Sequence, residues 1–266
     1  MSREGPQNEP FFVGYLPVPL PLRYFLGLVC LAVLVASLAV GYWVAATQAD
    51  PGPGRFRFDL GAQTVTGVLE EAAYPVLRVT EGNDQIPAGR TLLLSGGGKR
   101  GVQERAAPLL GQSVTVTGVL LERGPLGMIQ VRGAANGMMA LDAPPASPDL
   151  IDPAEPLGRW QLTGELCDGK CYAGAMRPGR GLSHKACANF CIIGGVPMVF
   201  VATAPVPGGG PNGAFLLVTG PDGGTVPERL LEMSSMPVTL SGDVLRRGDL
   251  LVLRADPASV VPADAP

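Results

Sequence analysis

The segments GQSVTVTGVLLERG (111–124) and MPVTLSGDVLRRG (236–248) are two copies of one pattern. Each alternates apolar residues with polar or small ones, as a half-buried strand does, and each ends in Arg-Gly. The likeness extends outward from them. Leu92–Gly124 aligns with Leu216–Gly248 at a constant offset of 124, without a gap. Identical pairs include Leu92/Leu216, Gly96/Gly220, Val102/Val226, Glu104/Glu228, Arg105/Arg229, Val114/Val238, Gly118/Gly242 and Gly124/Gly248. Upstream, TVTGVL at 64–69 matches QLTGEL at 161–166 at an offset of 97. The second copy therefore holds 27 extra residues between its first and third strands.

Each copy reads as strand, strand, strand, short helix, strand, strand. In copy one the predicted strands are 63–69, 75–80, 91–94, 113–121 and 128–131, with a helix at 102–110. In copy two they are 160–166, 198–202, 214–219, 238–245 and 250–254, with a helix at 227–233 that Pro227 opens. This order resembles the OB-fold, a five-stranded barrel with a helix between its third and fourth strands. The resemblance implies a mainly β chain with two tandem OB-like barrels, at 56–142 and 158–256. Residues 143–157, APPASPDLIDPAEPL, read as a stiff linker, and 257–266 as a disordered tail.

The extra residues of copy two form a Cys/His-containing insertion, 167–195, in the loop between its first two strands. It holds Cys167, Cys171, His184, Cys187 and Cys191, which are four of the five cysteines and the only histidine. The spacing is CxxxC, then HxxCxxxC. Ser183 is placed to cap a helix over 184–193 that Gly194-Gly195 ends. At 3.6 residues per turn, His184, Cys187, Ala188 and Cys191 share a face, and Ile192 and Ile193 can seat the helix on the barrel. In OB-folds this loop borders the ligand-binding face. Copy one has no Cys or His in the matching loop and is expected to be a structural partner only.

Three chemistries fit these residue types. Two disulfides between the CxxxC pairs would staple a long loop that has little core of its own. A bond from Cys187 to Cys191 within one helix is geometrically poor, so cross-pairs are expected. Alternatively, four thiolates and an imidazole suit zinc, copper or an iron–sulfur centre. Thiol–disulfide exchange is the third reading, although no CxxC pair is present. In GAMRPGRG and the residues after it, Arg177, Arg180 and Lys185 are a candidate anion or partner contact. Asp168 reads as a turn residue. There is no nucleophile triad, P-loop or dinucleotide fingerprint.

Ahead of the barrels, residues 24–47 carry no charge, and Tyr24, Phe25, Tyr42 and Trp43 mark the two ends. That length spans a bilayer as a single helix with aromatic belts. The apolar core is longer than a signal peptide needs, so a permanent anchor is expected. Cys30 lies in mid-span as a small lipid- or helix-facing residue. Residues 1–23 are read as a short cytoplasmic tail, in which Pro17, Pro19 and Pro21 oppose a regular helix. Residues 50–55, DPGPGR, are a linker. Arginines flank the helix on both sides, so charge does not fix orientation. The short amino end is placed inside, and the barrels on the periplasmic or extracellular side. Clustered, even cysteines suit an oxidising compartment.

The insertion also resembles an element of bacterial membrane-anchored single-pass proteins. This implies only an element that recurs as a unit, and transfers no catalytic residue; the expected location is the bacterial inner (cytoplasmic) membrane. A net charge of −3 and 6% aromatics argue against a nucleic-acid surface. The leading expectation is a non-catalytic binding or assembly protein, an accessory of a membrane redox complex. Its partners would be the lipid bilayer and other membrane proteins. The rival is a metal-binding or electron-transfer protein using the four cysteines and His184.

Overall fold

The computed structural model describes residues 18–47, 52–142, 154–204, 206 and 215–263. The linker 143–157 lies mostly outside these residues, as do most of the amino-terminal tail and the end of the carboxy-terminal one.

Helix α1 is Leu20–Thr47. Its stretch Leu22–Trp43 is long and apolar enough to cross a membrane, a test that a signal sequence also passes. The helix starts four residues earlier than expected and takes in Pro21. A proline in the first turn removes only an N–H that has no intrahelical partner anyway. Cys30 is exposed on it.

The described residues beyond α1 form one compact unit made of two closed five-strand barrels. In the first, β1 (Arg55–Phe56) precedes β2 (Ala62–Glu71), β3 (Pro75–Glu81), β4 (Thr91–Ser95), α2 (Gln103–Ala106), β5 (Ser113–Arg123), β6 (Leu126–Val131) and β7 (Met138–Ala140). The barrel closes in the order β2-β3-β4-β6-β5-β2, with β4 and β6 parallel and the other pairs antiparallel. The second barrel has β8 (Glu155–Asp168), α3 (Lys185–Ile193), β9 (Met198–Ala202), β10 (Phe215–Thr219), α4 (Glu228–Glu232), β11 (Pro237–Arg247), β12 (Leu250–Ala255) and β13 (Val261–Pro262). It closes in the same way, as β8-β9-β10-β12-β11-β8, again with its third and fifth strands parallel. This is the OB order, and α2 and α4 occupy the place of the OB helix.

The glycines that align between copies explain the tight closure. A Cβ on Gly118 would lie 2.2 Å from the Gln130 carbonyl oxygen, and one on Gly242 would lie 2.4 Å from that of Arg254. Such strands can coil this closely only without side chains at those points.

Inside each barrel the strands bury one face. Leu69, Leu77, Leu92, Leu94 and Ile129 fill the first core, and Leu166, Phe200, Leu216, Val218 and Leu253 fill the second. The opposite face is buried as well. Val76, Leu93, Leu126 and Met128 of barrel one pack with Val199, Leu217, Leu250 and Val252 of barrel two. Register places these as equivalent residues: Val76 faces Leu93 in one copy as Val199 faces Leu217 in the other. The two barrels thus meet through matching strands. Burial on both faces accounts for the unbroken apolar runs LLL at 92–94 and LLV at 216–218. Ion pairs rim the contact: Glu70 with Arg247 at 2.8 Å, and Arg78 with Asp249 at 3.3 Å. Replacing fully buried Leu217 by Ala should cost about 2–5 kcal/mol, read as a fall in the midpoint of denaturant unfolding.

Three expectations change. Strand β8 begins at Glu155, inside the segment read as linker. Residues 257–263 are structured, not a disordered tail: a 3₁₀ turn at Pro257–Ser259 leads into β13, which pairs with β11, and Val260 is buried. Asp256 starts that turn by accepting the Ala258 N–H. Pro227 sits one residue before α4 instead of inside it.

Candidate metal centre

The end of β8 sorts three neighbouring side chains by strand alternation. Leu166 points into the second barrel, and Cys167 points the other way, into the contact between barrels. Asp168 returns to the face of Leu166, beneath the insertion, and is fully buried. Its Oδ1 accepts the Cys171 N–H at 2.7 Å, and its Oδ2 lies 2.8 Å from His184 Nε2. The first bond fixes the turn that presents Cys171. The second holds the imidazole, whose nitrogen facing the carboxylate acts as donor.

From that turn the chain runs through a short π-type turn at Cys171–Ala175 and a 3₁₀ turn at Leu182–His184 into α3. No side chain caps α3, so Ser183 does not play the expected part; the 3₁₀ turn runs on into the helix with His184 at the junction. Ile192 anchors the helix in the second barrel's core, whereas Ile193 is exposed. Cys187 and Cys191, one turn apart, face Cys171. The three sulfurs lie within 4.8 Å of one another and can hold a metal ion. Asp168, His184 and Cys171 form a second such group, with Cys171 common to both.

None of the five cysteines is bonded to another. The expected pair of disulfides is therefore replaced by a trio of thiols and one isolated thiol. Cys167 is separated from the rest because adjacent strand residues face opposite ways. Burial pushes its thiol pKa well up. Within the trio, Cys171 keeps its proton: its hydrogen bond to Cys191, then burial, raise its pKa. The same hydrogen bond lowers that of Cys191. Cys187 is half-exposed, and the Met176 sulfur is 3.5 Å from its own.

Barrel one is more than a support. Its loop GGGKRG (96–101) lies on the insertion, and Lys99 Nζ is 2.6 Å from Cys187 Sγ. That bond raises the Lys99 pKa. Lys170, buried, holds the loop by donating to the Gly96 and Gly98 carbonyls, each at 2.7 Å. Gly101 N–H donates to the Gly194 carbonyl at 2.7 Å, and Gln103 to that of Gly195 at 2.6 Å. A Cβ on Gly194 would sit 1.9 Å from the Lys99 carbonyl oxygen, so Gly194→Ala should push the loop off. The expected result is faster hydrogen exchange across 96–101.

The basic residues divide. Lys185 donates to the Glu232 and Ser234 carbonyls at the end of α4 and is a structural tie. Arg177 is exposed and reaches the Gly54 carbonyl at 3.4 Å, and Arg180 is exposed. Asp168 and Lys99 were not among the expected site residues. A carboxylate right after a cysteine at a strand end was the available signal for the first, and a lysine amid four glycines for the second.

No protein-family model, curated protein or solved structure matches this chain.

Proposed function

We propose that this is a membrane-anchored metal-binding protein that holds a soft cation, copper(I) foremost, on Cys171, Cys187 and Cys191. The observation that carries the reading is the trio of unbonded thiols within 4.8 Å of one another. Thiolate and thioether donors favour copper(I) and zinc over harder ions, and the Met176 thioether beside Cys187 adds to the soft set. An iron–sulfur cluster takes four cysteines, and Cys167 faces away. Structural zinc takes four ligands, but the carboxylate and imidazole nearest the trio are bonded to each other. A three-sulfur site for copper(I) needs neither.

The chemistry such an ion brings is soft-ligand binding and, in a suitable partner, electron transfer. The residues of this chain supply the rest. Asp168 and His184 orient Cys171, Lys99 balances thiolate charge, and α3 sets the spacing of Cys187 and Cys191. Helix α1 serves as the anchor in the inner membrane, with the barrels on the periplasmic side. The role that fits a metal-holding site without a catalytic constellation is assembly of a membrane redox complex.

Full-length protein, purified in neutral detergent under reducing conditions and given excess copper(I), should keep about one equivalent after desalting. Recovery without metal, with Cys171 or Cys191 in a disulfide on mass mapping of protein prepared without reductant, would sink the reading in favour of a structural staple. Binding should weaken as pH falls, because the ligand thiols must lose protons to bind. In intact cells, an impermeant thiol reagent should label metal-stripped Cys187; labelling only after lysis would place the barrels in the cytoplasm.

A further inference from the structure

The three thiols are not equivalent. Cys171 and Cys191 are buried, whereas Cys187 is half-exposed and already has two partners, Lys99 and the Met176 sulfur. Cys187 is thus the ligand that solvent and an incoming donor can reach first. Its surroundings have a definite sign. The insertion contains Lys170, Arg177, Arg180 and Lys185 against a single acid, Asp168, and the loop 96–101 adds Lys99 and Arg100 with no acid. Lys170 and Lys185 are occupied by carbonyls, but Lys99, Arg100, Arg177 and Arg180 are exposed. Arg100 and Arg177 are the chain neighbours of the two residues that touch Cys187. The chain as a whole carries −3, so this cationic face is local. Of the acidic groups nearby, Asp168 is buried on His184 and the half-buried Glu165 accepts the Gly181 N–H, while Glu104 and Glu232 are exposed. Charge of one sign around an entry point raises the local concentration of the opposite one.

Resting on the proposed metal reading, we infer that Cys187 is the exchange ligand of the centre and that the cation arrives as an anionic thiolate complex. In the exchange, the Cys187 sulfur bonds to the metal as one metal–sulfur bond of the incoming bis-thiolate breaks. The Cys187 proton leaves on the displaced thiol, and no oxidation state changes. Cys191 then displaces the second carrier thiolate in the same way, its proton leaving on that thiol, and Cys171 adds as the third ligand and gives its proton to solvent.

The test compares copper(I) presented by glutathione, an anionic thiol, with copper(I) presented by cysteamine, a cationic one, to the full-length protein in neutral detergent. Loading from the glutathione complex should be at least about tenfold faster at low salt, and salt should erase the advantage. Arg100→Glu with Arg177→Glu should remove it while final copper content stays the same. Cys187→Ala should slow loading from both donors. Equal wild-type rates from the two donors, or a charge reversal without effect, would overturn the inference while leaving the metal site standing. Failure to load from either donor at any concentration would overturn both.

Discussion

Cys191→Ser should abolish copper(I) retention, whereas Cys167→Ser should leave it intact. The two cysteines belong to the two halves of the same CxxxC…CxxxC spacing, so a four-cysteine site would lose metal with either substitution. The structure separates them: Cys191 lies within 4.8 Å of Cys171 and Cys187, and Cys167 is packed between the barrels. Loss of residues that merely support a metal ligand weakens binding about 10–100-fold, and loss of a ligand itself should exceed that. Cys167→Ser has a different cost, because it places a hydroxyl among apolar side chains. Its midpoint of unfolding should fall while copper stoichiometry does not. Copper titration against a chromophoric competitor, beside denaturant unfolding of each variant, separates the two effects.

Asp168→Ala should be among the most destabilising single changes in the second barrel. It strands the Cys171 N–H and the His184 ring nitrogen, both buried. Each unsatisfied buried donor costs about 1–3 kcal/mol, so the pair should cost about 2–6 kcal/mol. Asp168→Asn keeps an acceptor for one of the two and should cost less. Should the alanine variant fail to fold, the asparagine variant still reports. Its copper affinity should drop as Cys171 loses its fixed direction, even where its unfolding midpoint stays close to that of the native chain. An Asn variant with native affinity would mean that the dyad does not orient the thiol.

The fold was legible because its causes are local and repeated. Alternation in 113–121 and 238–245, the aligned glycines at 118 and 242, and apolar runs at 92–94 and 216–218 each have a counterpart one copy away. The barrel order follows from their sequence. The candidate metal site was legible in its ingredients and not in its grouping. Whether Cys167 or Asp168 faces the site depends on a one-residue phase along β8, and both faces of that strand end are buried, so hydropathy carries no sign of it. Lys99 reaches Cys187 across 88 residues of chain, a contact that only the meeting of the two barrels creates. Ser183 had the right chemistry for a cap, but a 3₁₀ turn occupies the place where the cap would form. The expectation of disulfides followed from an even count of cysteines, and the count mattered less than the direction of one strand residue.

The most direct test of a three-sulfur centre is X-ray absorption at the copper edge of the loaded full-length protein. The account predicts a first shell of sulfur alone, unchanged in Cys167→Ser and losing sulfur in Cys187→Ser. A first shell dominated by nitrogen or oxygen, or one that loses a sulfur in Cys167→Ser, would contradict it.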